Sequence, residues 1–171
     1  QAISGAGKTF ETWPEMVDNV IPYIGGEDEK SEREPLKIFG TVADGQIVPA
    51  STPSISAQCL RVACADGHMA AVSVKFGKKP TKEQILERWQ NAVPATAGLD
   101  LPSSPVSFLH YFEDPSRPQT RLDRDFENGM GITIGRLRED VVFDYKFVCL
   151  SHNNVRVAEG GGVLSEEFPC K

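Results

Sequence analysis

Two side chains inside one apolar stretch carry the first chemical signal. In CLRVACADGHMAAVSVKF, residues 59–76, Arg61 and His68 interrupt a run that otherwise reads as buried strand. Arginine presents a planar fork that grips a carboxylate through two hydrogen bonds. Histidine is the side chain best suited to move a proton near neutral pH. Together they suit a site that holds an acid and transfers a proton beside it. With Asp66-Gly67 as a two-residue hairpin turn, Ala65 faces His68, Ala63 faces Ala70 and Arg61 faces Val72. The pair then shares one face of the ribbon, roughly 13 Å apart along the strand, with three alanines leaving room for a small molecule. A structural pair, each member tied to its own neighbour, fits the same spacing.

Two further segments hold groups with chemical potential. In GGEDEK, Glu27 and Lys30 are three residues apart and share a helix face. They could accept from an ammonium and attract a phosphate, or simply form a solvated helix start with acids at the positive end of the dipole. The SGAG of Ser4–Gly7 could let backbone N–H groups approach an anion, or be a tight loop. Cys59, Cys64, Cys149 and Cys170 form no CxxC pair and no zinc spacing with the histidines, so no metal site is expected. They read as free thiols of a reducing compartment, which points to the cytoplasm.

The elements that must position these groups follow from patterning. The chain has 171 residues, 40% hydrophobic and 25% charged, which suits one globular domain over 1–171. A formal charge of −6 argues against a nucleic-acid partner. No apolar run approaches the ~20 residues that span a membrane. The spacing predicts helices over 12–23, 27–39 and from Thr81 to Asn91, the last opened by a Thr81/Gln84 capping box. It predicts a loop over 41–54, strands over 55–64, 68–76 and 106–112, and an antiparallel pair over 130–137 and 141–150. A terminal helix is expected over 153–167 despite Gly160, Gly161 and Gly162. Strands adjacent in sequence, without strict βαβ alternation, predict an α+β fold: a largely antiparallel or mixed sheet with helices on one face. No GxGxxG follows a first strand, so no dinucleotide-binding domain is expected in this chain.

In order, QAISGAG, DNVIPYIGGEDEK, LKIFG, SAQCLRVACADGHMAAVSVKF, LPSSP, RPQTRLDR, GMGITIGRLR and LSHNNVR resemble the C-terminal half of the aspartate-β-semialdehyde dehydrogenase family. The likeness covers nearly the whole chain and is nearest the fungal and archaeal branch. It implies a C-terminal domain of the glyceraldehyde-3-phosphate dehydrogenase type that binds substrate and forms a homodimer or tetramer. It also implies a reductase that converts aspartyl phosphate and NADPH to aspartate semialdehyde, phosphate and NADP. By position in the motifs, His68 resembles the acid/base histidine and Gln1 the glutamine that orients substrate. Arg61 resembles the clamp on the substrate carboxylate, and Glu27 and Lys30 the pair that reads its amino group and phosphate. Ser4, Gly5 and Asn153 fall where the family approaches its cofactor. The family's nucleophilic cysteine and its NADP-binding domain lie ahead of QAxSGAG. A chain that opens on Gln1 reads as a piece of something longer and, alone, is expected to be inactive. The alternatives are a non-enzymatic dimerising module and the matching domain of N-acetyl-glutamyl-phosphate reductase; Arg61 and EDEK favour the aspartate enzyme.

Overall fold

The structure, a computed structural model, describes residues 1–167; the thiol of Cys170 lies outside them. After a 3₁₀ turn at Ile3–Ala6 and another at Pro14–Met16, the elements are β1 (Val20–Ile21), α1 (Glu27–Ile38), β2 (Thr41–Ala43), β3 (Gln46–Val48) and β4 (Arg61–Val62). Then come β5 (His68–Val74), α2 (Lys82–Gln90), β6 (Leu109–Phe112), α3 (Thr120–Asp123), β7 (Ile132–Glu139) and β8 (Tyr145–Ser151). A widely wound π turn at Asn153–Glu159 runs directly into α4 (Gly160–Glu167).

The main sheet has the order β5-β8-β7-β6, antiparallel except for the parallel β6–β7 pair. It is the mixed sheet of an α+β fold. Alternation along β5 and β8 puts Val72 opposite Phe147 and Val74 opposite Tyr145, all on one face. That face packs on α2: Ile85, Leu137 and Tyr145 form the buried core, with Leu86, Trp89, Tyr111 and Phe147 around it. Trp89 meets Phe147 edge-on at 5.1 Å, and the Tyr145 hydroxyl donates to the Pro80 carbonyl at 2.9 Å, anchoring the entry to α2. The Thr81/Gln84 capping box forms as its spacing predicts. In β7 a register shift lies between Gly135 and Arg138. Gly135 has no room for a Cβ, because the Arg117 carbonyl lies against it.

Four sequence expectations fail for physical reasons, one being the strand over 55–64, which is strand only at Arg61–Val62 because Ala57 and Cys59 bond to the acids of α1. Asp66-Gly67 is not a hairpin turn: β5 pairs with β8, while β4 pairs with β1. The hairpin instead forms at the other Asp-Gly, where Asp44 and Gly45 both take positive φ between β2 and β3 inside the expected loop. The expected helix over 12–23 reduces to Pro14–Met16, because Val20 and Ile21 are drawn into pairing with Val62 and Arg61. By contrast α1 runs through Pro35 to Ile38; the missing N–H costs one bond near its end, and Phe39 N–H resumes the ladder to the Pro35 carbonyl at 3.0 Å. The acids of α1 are only partly solvated. Asp28 accepts the Cys59 N–H at 2.6 Å and Glu32 the Ala57 N–H at 3.0 Å, which seats residues 57–59 on the helix and sends the chain into β4.

Candidate active site

The first four residues lie alongside 60–65. The Gln1 amino group donates to the Leu60 carbonyl at 2.6 Å, Val62 N–H to Gln1 at 3.0 Å, and Ile3 N–H to Cys64 at 2.9 Å. Ala2 and Ile3 are fully buried beneath this seam. The seam brings Gln1 beside Arg61, 60 positions away in sequence.

Ala2 joins the two opening residues through its backbone. Arg61, only 6% exposed, donates from Nη1 to the Ala2 carbonyl at 2.6 Å. The Ala2 N–H approaches His68 Nδ1 at 3.4 Å. Both groups close on Gly5: a Cβ there would sit 2.8 Å from Arg61 Nη1 and 3.1 Å from His68 Nε2. The guanidinium and imidazole nitrogens therefore lie within about 6 Å of each other. The two side chains converge from different sheets and not along one hairpin ribbon, since Arg61 lies in β4 and His68 in β5. Glycine at position 5 lets both side chains close on the turn, where a Cβ would push them away.

The carboxylate end is tied in as well. Gln1 Nε2 donates to Glu27 Oε2 at 2.7 Å, and Lys30 Nζ lies 3.4 Å from Glu27 Oε1. The Gln1 hydrogen bond is the largest influence on Glu27 and, with a lesser contribution from Lys30, holds it below the usual carboxylate range against the opposing effect of burial. His68 is pushed down to about 4, first by burial, then by the Gln1 amino group and Arg61; the Gly67 carbonyl and Glu27 oppose the shift. At neutral pH its imidazole is uncharged and able to take up a proton.

Asn153 sits opposite this group, at the start of the π turn. Its Oδ1 accepts the Gly67 N–H at 2.8 Å, and its Nδ2 donates to Ser4 Oγ at 2.9 Å. The structure thus brings together all eight residues singled out in the sequence: Gln1, Ser4, Gly5, Glu27, Lys30, Arg61, His68 and Asn153. Sequence reasoning missed Ala2, whose contribution is entirely backbone, and Asp66. The Asp66 carboxylate accepts from Asn154 at 3.3 Å and its carbonyl from Arg124 at 3.3 Å. The doubled Asn in SHNN was the one available signal for that contact.

The thiols point to other partners: Cys59 to Ser31 at 3.5 Å, Cys64 to Thr120 at 3.2 Å, and Cys149 is driven up in pKa by burial. A cavity of about 1000 Å³ between α2 and the sheet, lined by Val72, Phe76, Trp89 and Phe147 among others, holds none of the eight residues. Among the described residues no cluster of His, Cys, Asp and Glu could hold a metal ion.

A mixed four-stranded sheet with a histidine at the head of β5, met at Gly5 by an arginine from the separate β1–β4 pair, defines an α+β domain with one shared polar site. The family model for the semialdehyde dehydrogenase dimerisation domain matches residues 1–156, and the chain belongs to that family. It is 45% identical to the aspartate-semialdehyde dehydrogenase of Schizosaccharomyces pombe and 42% identical to that of Archaeoglobus fulgidus, each over all of this chain. It spans about half the length of these relatives, 49% and 48%. A crystal structure of the Candida albicans aspartate-semialdehyde dehydrogenase with NADP superposes with a TM-score of 0.82 and 36% identity, over 99% of this chain and 48% of that one.

Proposed function

We propose that this chain is the substrate-binding and dimerisation half of an NADP-dependent aspartate-semialdehyde dehydrogenase of the cytoplasm, working as a homodimer or a pair of dimers. The observation that carries the reading is the convergence of Arg61 and His68 on the space beside Gly5. In the reaction a cysteine thiol from outside this chain attacks the acyl carbon of aspartyl phosphate while giving up its proton, a carbon–sulfur bond forms and phosphate leaves. NADPH, when bound, supplies the hydride that converts the thioester to the aldehyde. His68, uncharged at neutral pH, takes the thiol proton as the bond forms and returns it to sulfur as the aldehyde departs. Arg61 holds the substrate carboxylate, while Glu27 and Lys30 attend its ammonium and phosphate. Gln1, fixed by Glu27, orients the acyl group.

The residues at hand fit the cofactor in one place. Gly5, Ala6 and Gly7 are exposed and project no bulky side chain, so this turn would hold the hydride-donating end of the cofactor. Ser4 contributes as the support of that turn.

The test is the full-length protein that contains this chain, assayed for NADP reduction with aspartate semialdehyde and phosphate. Turnover is expected, with Arg61→Lys raising KM for the semialdehyde about 10- to 100-fold, the weight of a charged hydrogen bond. The isolated chain should give none. A full-length protein without this activity would overturn the proposal.

A further inference from the structure

We infer that Asn153 is a positioning residue: its side-chain amide clasps the Asp66–Gly67 turn to Ser4 and so aims the His68 imidazole at the space beside Gly5. This rests on the reading of the site given above, and it moves Asn153 from a cofactor contact to a support of the acid/base group.

The amide is committed to protein on every polar atom. Asn153 is 6% exposed. Oδ1 accepts from Gly67 N–H at 2.8 Å, while Nδ2 donates to Ser4 Oγ and to Asn154 Oδ1, both at 2.9 Å. Both N–H groups are thus used within the protein, so a cofactor could accept from Asn153 only by breaking one of these bonds. The Gly67 N–H belongs to the Asp66–Gly67 peptide, one glycine ahead of His68, so Asn153 fixes the peptide from which the chain departs toward the imidazole. The turn has no stiffness of its own: Gly67 adopts φ +95°, open to glycine alone. It is held from outside, by Asn153 on the Gly67 N–H and by Arg124 and Asn154 on Asp66. In the full-length protein, where Gln1 carries no ammonium, the charged groups acting on the ring are Arg61 and Glu27, neither of which Asn153 touches. A change at Asn153 therefore reaches His68 through geometry and burial.

The experiment compares wild type, Asn153→Ala and Asn153→Asp in the full-length protein. For Asn153→Ala, kcat should fall about 10- to 100-fold, the scale of misplacing a catalytic group by about 1 Å. KM for NADP should stay within about twofold, and the His68 titration followed by isotope-labelled histidine NMR should move up as the ring gains solvent. Asn153→Asp keeps the acceptor for the Gly67 N–H and can accept from the Ser4 hydroxyl, so it should recover most of kcat. It also serves as the readout should the alanine variant fail to fold. A rise in KM for NADP with kcat intact would make Asn153 a cofactor contact and overturn the inference. An unmoved His68 titration, or an aspartate variant as impaired as alanine, would overturn it equally. Because the titration needs no turnover, failure of the inference is distinguishable from failure of the proposed activity, which would show as an inactive wild type.

Discussion

The two ends of β5 are built on different principles. At the Val74 end, Val72 and Val74 lie among Ile85, Leu137, Tyr145, Trp89 and Phe147, where stability comes from apolar area shared over many contacts. At the His68 end, the Gly67 N–H, the Arg61 guanidinium and the Gln1 side-chain amide are each held by one named acceptor: Asn153, the Ala2 carbonyl and Glu27. Apolar packing tolerates the loss of an atom by sharing the cost among neighbours, while a single polar tie has no substitute. The first end supplies stability, and the second converts the rigidity of the sheet into the direction of a few polar groups.

Three changes test that division, in order of expected size. His68→Ala in the full-length protein should lower kcat about 10²- to 10⁴-fold, the range for a lost acid/base group, with little change in Tm. A comparable fall in Tm would show that the polar end carries stability too. Leu137→Ala, at a site 3% exposed, should cost about 3 kcal/mol and lower Tm by roughly 6–12 °C. Activity at 25 °C should persist; its loss in a folded protein would link the apolar end to the chemistry.

The third test is pH. His68 binds its proton at about 4 when folded, against 6.5 ordinarily. The unfolded chain therefore holds more protons between those values, and stability falls as pH drops from 6.5 toward 4. Asp140 closes the β7–β8 turn by accepting from Val142 and Phe143, whose N–H groups hold it down to about 2 against an ordinary 3.8. Its contribution is present above 3.8 and is lost as pH falls toward 2. Thermal melts should show a loss between pH 6.5 and 4 that His68→Gln removes. The loss below pH 4 should survive that substitution and diminish in Asp140→Asn. Joining a peptide ahead of Gln1 removes its ammonium, so His68 should then titrate higher.

The Asp-Gly pairs show how far local reading reaches. Both carry the same turn chemistry, but only Asp44-Gly45 makes a hairpin. Asp66-Gly67 is pulled open because Asn153, Asn154 and Arg124 claim its polar groups. In the same way, residues 12–23 have a helical stripe, yet Val20 and Ile21 pair with β4. The candidate site was legible as residue types within motifs, and its contents hold together. Its dimensions were not legible, since they depended on the wrong strand partner.

By itself the sequence determined what short-range chemistry decides: α2 opened by its capping box, α1 by its acids, β8 by its alternation, and which residues carry a guanidinium, an imidazole or a carboxylate. Tertiary structure alone decided that β5 joins β8 and that Gln1, Arg61, His68 and Asn153 meet. The ties that unite them span 59 residues from Arg61 to Ala2 and 149 from Asn153 to Ser4. No local preference selects such partners; they are chosen when the whole sheet closes and each buried donor must find an acceptor.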